Sequence, residues 1–291
     1  VTAKTSEPDD LQLGTQVVGS AIPDNPIGFH ADVPEAEYHA HAGSLSQSGA
    51  KLLLRAPALF RHEQQNPTHK KVWNFGTAAH AHILGRGIEA VYVAPFDDWR
   101  TKQAGIERDI AHDEGLSPIL PKDWEVVCQM ADKLSEHTLA MRLLSDGLPE
   151  ISAFALDQET GVMRRGRFDW LGKTILSDYK SAATCDPRAF ARSAPDYGHD
   201  VQAAWYLDLA AELGHPAEAF AFIVQMKEPP YLVEVVELDA DSVDRGRRRY
   251  RRALQIFRDC TDSGIWPGYQ SSDDFTTVRV PEWALREEGI I

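Results

Sequence analysis

Cysteine is scarce in this chain of 291 residues: Cys128, Cys185 and Cys260 are all it has, and they lie far apart. An odd, scattered count argues against a disulfide framework and fits a reducing compartment. Long apolar runs are missing too, and no stretch approaches the roughly 20 residues that a membrane span requires. The opening VTAKTSEPDD is polar and acidic and shows no signal-peptide pattern. These absences predict a cytoplasmic protein without membrane contact. Positive charge is also in short supply: 30 Lys and Arg stand against 44 Asp and Glu, a formal net charge of −14. Any nucleic-acid contact must therefore rest on local clusters of cations. There is no internal repeat and no low-complexity tract.

What is present is a core. Hydrophobic residues make up 43% of the chain, the composition of a globular protein. Residues 1–36, rich in Asp, Pro, Gly and small residues, predict an extended or mobile lead-in. Ser44 or Ser46 can cap a helix running to about Gln64, and residues 72–85 predict a second helix. A short strand is expected at 91–95, and helices from about 98 to 145. Three antiparallel strands follow at 151–156, 162–171 and 174–179. Helix is expected from 186 to about 213, interrupted near Pro195, then strands at 220–226 and 231–238 and a helix over 240–262. An irregular tail fills 266–291, leaving 37–265 as one domain. This order predicts an α/β fold, helices covering a mixed sheet, with a helical N-terminal part.

The chemistry concentrates in GRFDWLGKTILSDYK, residues 166–180. Gly172-Lys173 suits a two-residue type II′ turn, which would set Leu171 opposite Thr174 and Asp169 opposite Leu176. Side chains alternate along a strand, so Leu176, Asp178 and Lys180 share a face, with Asp169 diagonal to Asp178. Two acids among Phe168, Trp170, Ile175 and Leu176 either face solvent on a half-exposed sheet or are buried as a repelling pair that a cation relieves. Hard divalent cations take oxygen ligands, and a lysine beside them can hold or activate a water. That combination is a nuclease-type site.

The Asp169…Asp178-Tyr179-Lys180 arrangement resembles the core motif of the PD-(D/E)xK nuclease superfamily. Gly76-Thr77-Ala78-Ala79-His80 is similar to the GxxxH helix of its RecB-like branch, and Gln202-Ala-Ala-Trp-Tyr206 to the QxxxY helix. Ser46-Gln-Ser-Gly49 and Ala56-Pro57-Ala58-Leu59-Phe60 resemble the start of the nuclease domain of exonuclease VIII (RecE), a phage-type exodeoxyribonuclease. The resemblance covers roughly 38–260 and implies a restriction-endonuclease-like core. It also implies roles. His80, Asp169, Asp178 and the Tyr179 carbonyl would hold one or two Mg²⁺ or Mn²⁺ ions, with Glu150, at the opening of the first central strand, in support. Lys180 would orient the attacking water, and Gln202 and Tyr206, four apart on one helix face, would stand beside the site. His82, on another side of its helix, is read as structural. Some RecB-like relatives carry an iron–sulfur cluster on four cysteines; three in no cluster spacing predict none here.

Arg167 falls on the Asp178 face in the expected register and could bind phosphate or pair with an acid; Arg164 and Arg165 are weaker candidates. Residues 245–252 hold six arginines. Val243, Tyr250, Leu254 and Phe257 form the buried stripe of that helix, so the arginines are expected to flank it and face outward. Arg245, Arg248, Arg249 and Arg252 then either track a DNA backbone or balance the acids on a solvated face. The resemblance implies a metal-dependent exonuclease on linear double-stranded DNA ends, 5′ to 3′, assembled as a ring-shaped homo-oligomer and serving a single-strand annealing protein. A repair nuclease for flaps or single strands is the nearest alternative. An inactive nuclease fold that binds DNA, or a phosphatase-type metal protein, is a more distant one.

Overall fold

A computed structural model describes residues 22–41, 43–66, 75–269 and 275–290. The chain begins with β1 (Gly28–His30), α1 (Glu35–Ala40), β2 (Ser44–Ser46), α2 (Gln47–Arg55), α3 (Pro57–Gln65) and α4 (Phe75–Leu84). It continues with β3 (Val91–Val93), α5 (Lys102–Asp113), β4 (Ser117–Ile119), α6 (Pro121–Ser135) and α7 (Thr138–Leu143). The centre is β5 (Gly147–Leu156), β6 (Met163–Gly172) and β7 (Ile175–Ala182). Then come α8 (Pro187–Tyr197), α9 (His199–Glu212), β8 (Ala219–Met226), β9 (Val233–Glu237), α10 (Ala240–Ser263) and α11 (Glu282–Glu287).

One mixed sheet runs in the order β1-β5-β6-β7-β8-β9, with β2 added parallel to β6. The β7–β8 pair is parallel, and helices α8 and α9 make the crossover between them. Strands β3 and β4 form a separate parallel pair. One face of the main sheet packs Phe168, Leu176 and Phe222 against Leu53 of α2, Trp205 and Leu209 of α9, and Tyr250 and Leu254 of α10. The other packs Trp170, Tyr179 and Ile223 against Ala79 and Ile83 of α4 and Met130 of α6. This is the restriction-endonuclease-like architecture expected, a mixed sheet between helical layers. No helix among the described residues is long and apolar enough to cross a membrane.

Several expectations are corrected. The helix expected up to Gln64 is two helices: Ser46 caps α2 through the Gly49 amide, and Ala56, at φ −165° and ψ 131°, separates it from α3. Pro57 is the cause, since the residue before a proline is pushed out of the helical region. The break after α8 falls at Gly198, in the left-handed conformation (φ 68°), rather than at Pro195, which lies inside α8. The lead-in expected over 1–36 is regular in part: residues 28–30 pair with β5, and Phe29 is buried in the first core. Residues 1–21 lie outside the described residues. The tail is less irregular than expected, because Trp266 stacks on Phe60 and α11 forms beyond it.

The β6–β7 turn also differs. The residues between the strands are Lys173-Thr174, and Trp170 stands opposite Ser177. Carried one rung further, that register sets Asp169 directly opposite Asp178 instead of diagonal to it. Gly172 is not in the left-handed region that a II′ turn requires. Its lack of a side chain matters differently: a Cβ there would stand 2.2 Å from the Ile175 carbonyl oxygen.

Candidate metal centre and active site

The site forms where strand alternation fails. In β5, Leu148 faces the first core, and so do Ile151, Ala153 and Ala155, an even position before residue 150 and odd ones after it. In β6, Phe168 faces that core, yet Leu171 does too, while Trp170 faces the other. The pairs Pro149 with Trp170 and Ile151 with Phe168 keep one register, so Glu150 and Asp169 share the rung at which both strands switch faces. Glu150 makes the switch with φ at 56°, a left-handed conformation costly for a residue with a Cβ. Glu150 therefore lies inside β5 rather than opening it as expected, and its carboxylate comes beside that of Asp169.

Helix α4 supplies the third group. Ala79 is fully buried, and a Cβ on Gly76 would sit 3.5 Å from Ser181 Oγ of β7, so small residues let the helix lie close on the sheet. His80 Nε2 is 2.9 Å from Asp169 Oδ2 and its Nδ1 is 3.2 Å from Glu150 Oε1. One ligand atom from each of His80, Glu150 and Asp169 lies within 4.8 Å of the others. Asp178 is adjacent but outside that group: Gln202 Nε2 donates to its Oδ1 at 2.6 Å, and Lys180 Nζ is 2.6 Å from its Oδ2. The Tyr179 amide donates to Asp169 Oδ2 at 3.1 Å and its hydroxyl to Gln225 at 2.8 Å, tying β7 to β6 and to β8.

The charges are coupled. Burial would lower the His80 pKa, but the Asp169 charge and hydrogen bond, then Glu150 and Asp178, outweigh it and raise it to about 9. Burial and then the Asp169 charge push Asp178 up to about 7 in spite of Lys180. Asp169 is held below the usual carboxylate range: burial opposes this, and the His80 charge, its hydrogen bond and Lys180 overcome it. Glu150 is raised, by burial first and by Asp169 against the pull of His80. Lys180 is raised, Asp178 and Asp169 outweighing burial. Without metal, an imidazolium thus serves as the counter-ion between two carboxylates. Two carboxylates and an imidazole suit a divalent cation that accepts oxygen ligands with one nitrogen. Asp178 Oδ2, buried and paired with Lys180, is a further carboxylate oxygen beside this group.

Residues 46–277 match the family described as "PDDEXK-like domain of unknown function (DUF3799)". The chain belongs to this family, and through it to the PD-(D/E)xK superfamily. Among solved structures it is similar to a protein from Eubacterium rectale named "Putative exonuclease". The TM-score is 0.57 at 10% identity, over 88% of this chain and 98% of that one. That likeness concerns the fold. A second structure, named SSO0001, has a TM-score of 0.32 at 11% identity over 72% of this chain and 76% of its own, and carries no argument. No curated protein matches the chain.

The structure brings together His80, Glu150, Asp169, Asp178, Tyr179, Lys180 and Gln202. Tyr206 is close by: its hydroxyl accepts from the Arg167 amide at 3.4 Å, and its ring meets Phe168 edge-on. His82 packs edge-on against Trp124, as a structural residue would. The arginines fall out differently. Arg167 is engaged internally, with Nε on Ser152 Oγ at 3.0 Å, Nη2 on the Val33 carbonyl at 2.7 Å, and its guanidinium over Tyr38. The face switch at residue 169 turns it away from its expected face. Arg165 binds the His41 and Ser44 carbonyls, and Arg164 is fully buried between Trp205 and Tyr250. Exposed Arg245 and half-buried Arg249 both donate to buried Asp200. Exposed Arg248 and Arg252 remain on the outer face of α10. Two groups near Lys180 had no motif to announce them: Lys51 of α2 and His199, the first residue of α9.

Proposed function

We propose that this protein is a divalent-metal-dependent deoxyribonuclease that degrades linear double-stranded DNA from its ends. The observation that carries the reading is the meeting of His80, Glu150 and Asp169 from three separate elements beside the Asp178–Lys180 pair. His80, Glu150 and Asp169 would hold the cation, with Asp178 as a further ligand and the Tyr179 carbonyl completing the set. A cation there supplies Lewis-acid polarisation of a phosphate oxygen and a bound water of lowered pKa.

The protein's own groups do the rest. Lys180, half-buried and charged, would set its ammonium against the negative charge that grows on the phosphate as the phosphodiester is attacked. Gln202 holds Asp178 by one oxygen and leaves the other for Lys180 or a metal ion. Tyr179, tied by its amide to Asp169 and by its hydroxyl to Gln225, keeps both acids in place.

End-dependence, 5′-to-3′ polarity, ring assembly and transfer of the exposed strand to a single-strand annealing protein belong to the same proposal. They rest on the resemblance to exonuclease VIII; the name of the structural neighbour, "Putative exonuclease", is in line with the exonuclease activity alone. The test is digestion of duplex DNA, labelled at the 5′ or the 3′ end, beside the same DNA as a closed circle. Loss of the linear form alone, with the 5′ label released first, is expected. Cutting of the circle would replace the exonuclease reading with an endonuclease.

A further inference from the structure

Lys51 has a local setting that the fold does not explain. It is half-buried on α2, and Nζ donates to the Tyr197 carbonyl at 3.0 Å. Its stem lies on Gly198, where a Cβ would come within 2.5 Å of Lys51 Cδ, so the turn before α9 is shaped around this side chain. Among the described residues no carboxylate forms an ion pair with it. It faces the same charges as Lys180: the two ammonium groups repel, and Asp178 attracts both. Asp178 is already taken by Lys180 and Gln202, and Asp200, the next acid, by Arg245 and Arg249. Lys51, Lys180, Arg245 and Arg249 thus stand against Asp178 and Asp200, with Asp169, which also attracts Lys180, already paired with His80: a local cation excess in a chain of net charge −14. Holding two ammonium groups near one another with too few anions is unfavourable unless an anion from outside joins them. His199 stacks on Phe190 at 4.9 Å beside them. Burial first, then Lys180 and Lys51, lower its pKa to about 4, so at neutral pH it adds no charge.

We infer that Lys51 is a binding residue for a second phosphate of the DNA strand, next to the one that Lys180 faces. The inference rests on the nuclease reading above and extends it. Lys51 presents its remaining N–H groups as a point charge to a backbone phosphate, which places the strand along the α2–α9 side of the site. It contacts no scissile atom and so governs binding, not turnover at saturation.

The test compares wild type, Lys51→Met, which keeps the stem, and Lys51→Arg, which keeps the charge. Binding of duplex oligonucleotides is read in EDTA across a series of salt concentrations, and KM and kcat with Mg²⁺. Lys51→Met is expected to weaken binding and raise KM about tenfold. Its salt slope should fall by about one, with kcat unchanged, and Lys51→Arg should restore most of the loss. Neutral methylphosphonates placed one at a time in the strand should weaken wild type at one non-scissile position and leave Lys51→Met indifferent there. Ends with and without a 5′ phosphate decide whether that group is a terminal phosphomonoester or an internal phosphodiester. A folded Lys51→Met with unchanged affinity and salt slope overturns the inference. So does an effect confined to kcat, or, should Lys51→Met not fold, a methylphosphonate scan of wild type with no sensitive position besides the scissile one. Wild type that neither binds nor cuts DNA would instead overturn the nuclease reading.

Discussion

Glu150 shows most plainly what a single residue gives up for this site. Its φ of 56° carries a cost of about 1–3 kcal/mol, and the return is a carboxylate turned toward His80 and Asp169. Replacing it with glycine, for which this φ is free, should leave the metal-free protein at least as stable while weakening metal binding about tenfold or more. Thermal melting in EDTA and isothermal titration with Mn²⁺ check the two halves. Protonation is the second residue-scale consequence. Asp178 is raised from 3.8 to about 7 and His80 from 6.5 to about 9. Within each window the folded protein binds more protons than the unfolded chain, so stability falls as pH rises. Denaturation in EDTA should show a decline from about pH 4 to 9; Asp178→Asn should flatten its acid part and His80→Gln its alkaline part. A cation displaces the His80 proton, so metal affinity should climb over the upper window.

Among the elements, α9 joins the core to the chemistry. It packs Trp205 and Leu209 into the first core and presents Gln202 to Asp178. Its contact with α10 is close because residue 246 is glycine: a Cβ there would fall 1.9 Å from the Asp200 carbonyl oxygen. Gly246→Ala must push the helices apart and should cost about 3 kcal/mol or more in urea denaturation, with activity lost as Gln202 shifts. Gly105, inside α5 with open space around its Cα, makes the control, and its change to alanine should gain about 0.5–1 kcal/mol. Much of this layout is legible in the sequence. The periodicity places β5 to β9, α9 and α10 within a few residues, and spacing alone gives Gln202 and Tyr206 one face. The rung at Glu150 and Asp169 is not legible, since alternation counts parity and a left-handed residue resets the count without changing the register. Arg167 lies on the other face for that reason. Of the two readings open for Arg245 and Arg249, pairing with an acid is what the fold shows, and spacing cannot announce that partner because Asp200 is 45 and 49 residues away in the chain. Lys51 lies 129 positions before Lys180, and only the tertiary fold sets them near the same acid.

At the scale of the whole molecule, an acidic chain holds a local excess of cations beside the candidate site. DNA binding should therefore be strongly salt-dependent and local. The exposed pair Arg248 and Arg252, the part of the expected arginine track that remains available, should contribute little: Arg248→Ala with Arg252→Ala should shift affinity less than Lys51→Met does in the same salt titration. The family match and the structural neighbour agree on the fold, and the chemistry rests on the group around Asp169. The most direct measurement is cleavage of a linear duplex by wild type, Asp169→Asn and Lys180→Ala, each with Mg²⁺, with Mn²⁺ and with EDTA. Cleavage by wild type with metal alone is predicted, with a loss of at least about 100-fold in either variant while both still bind the DNA. Cleavage that survives EDTA, or that proceeds at the wild-type rate in Asp169→Asn, would contradict the account.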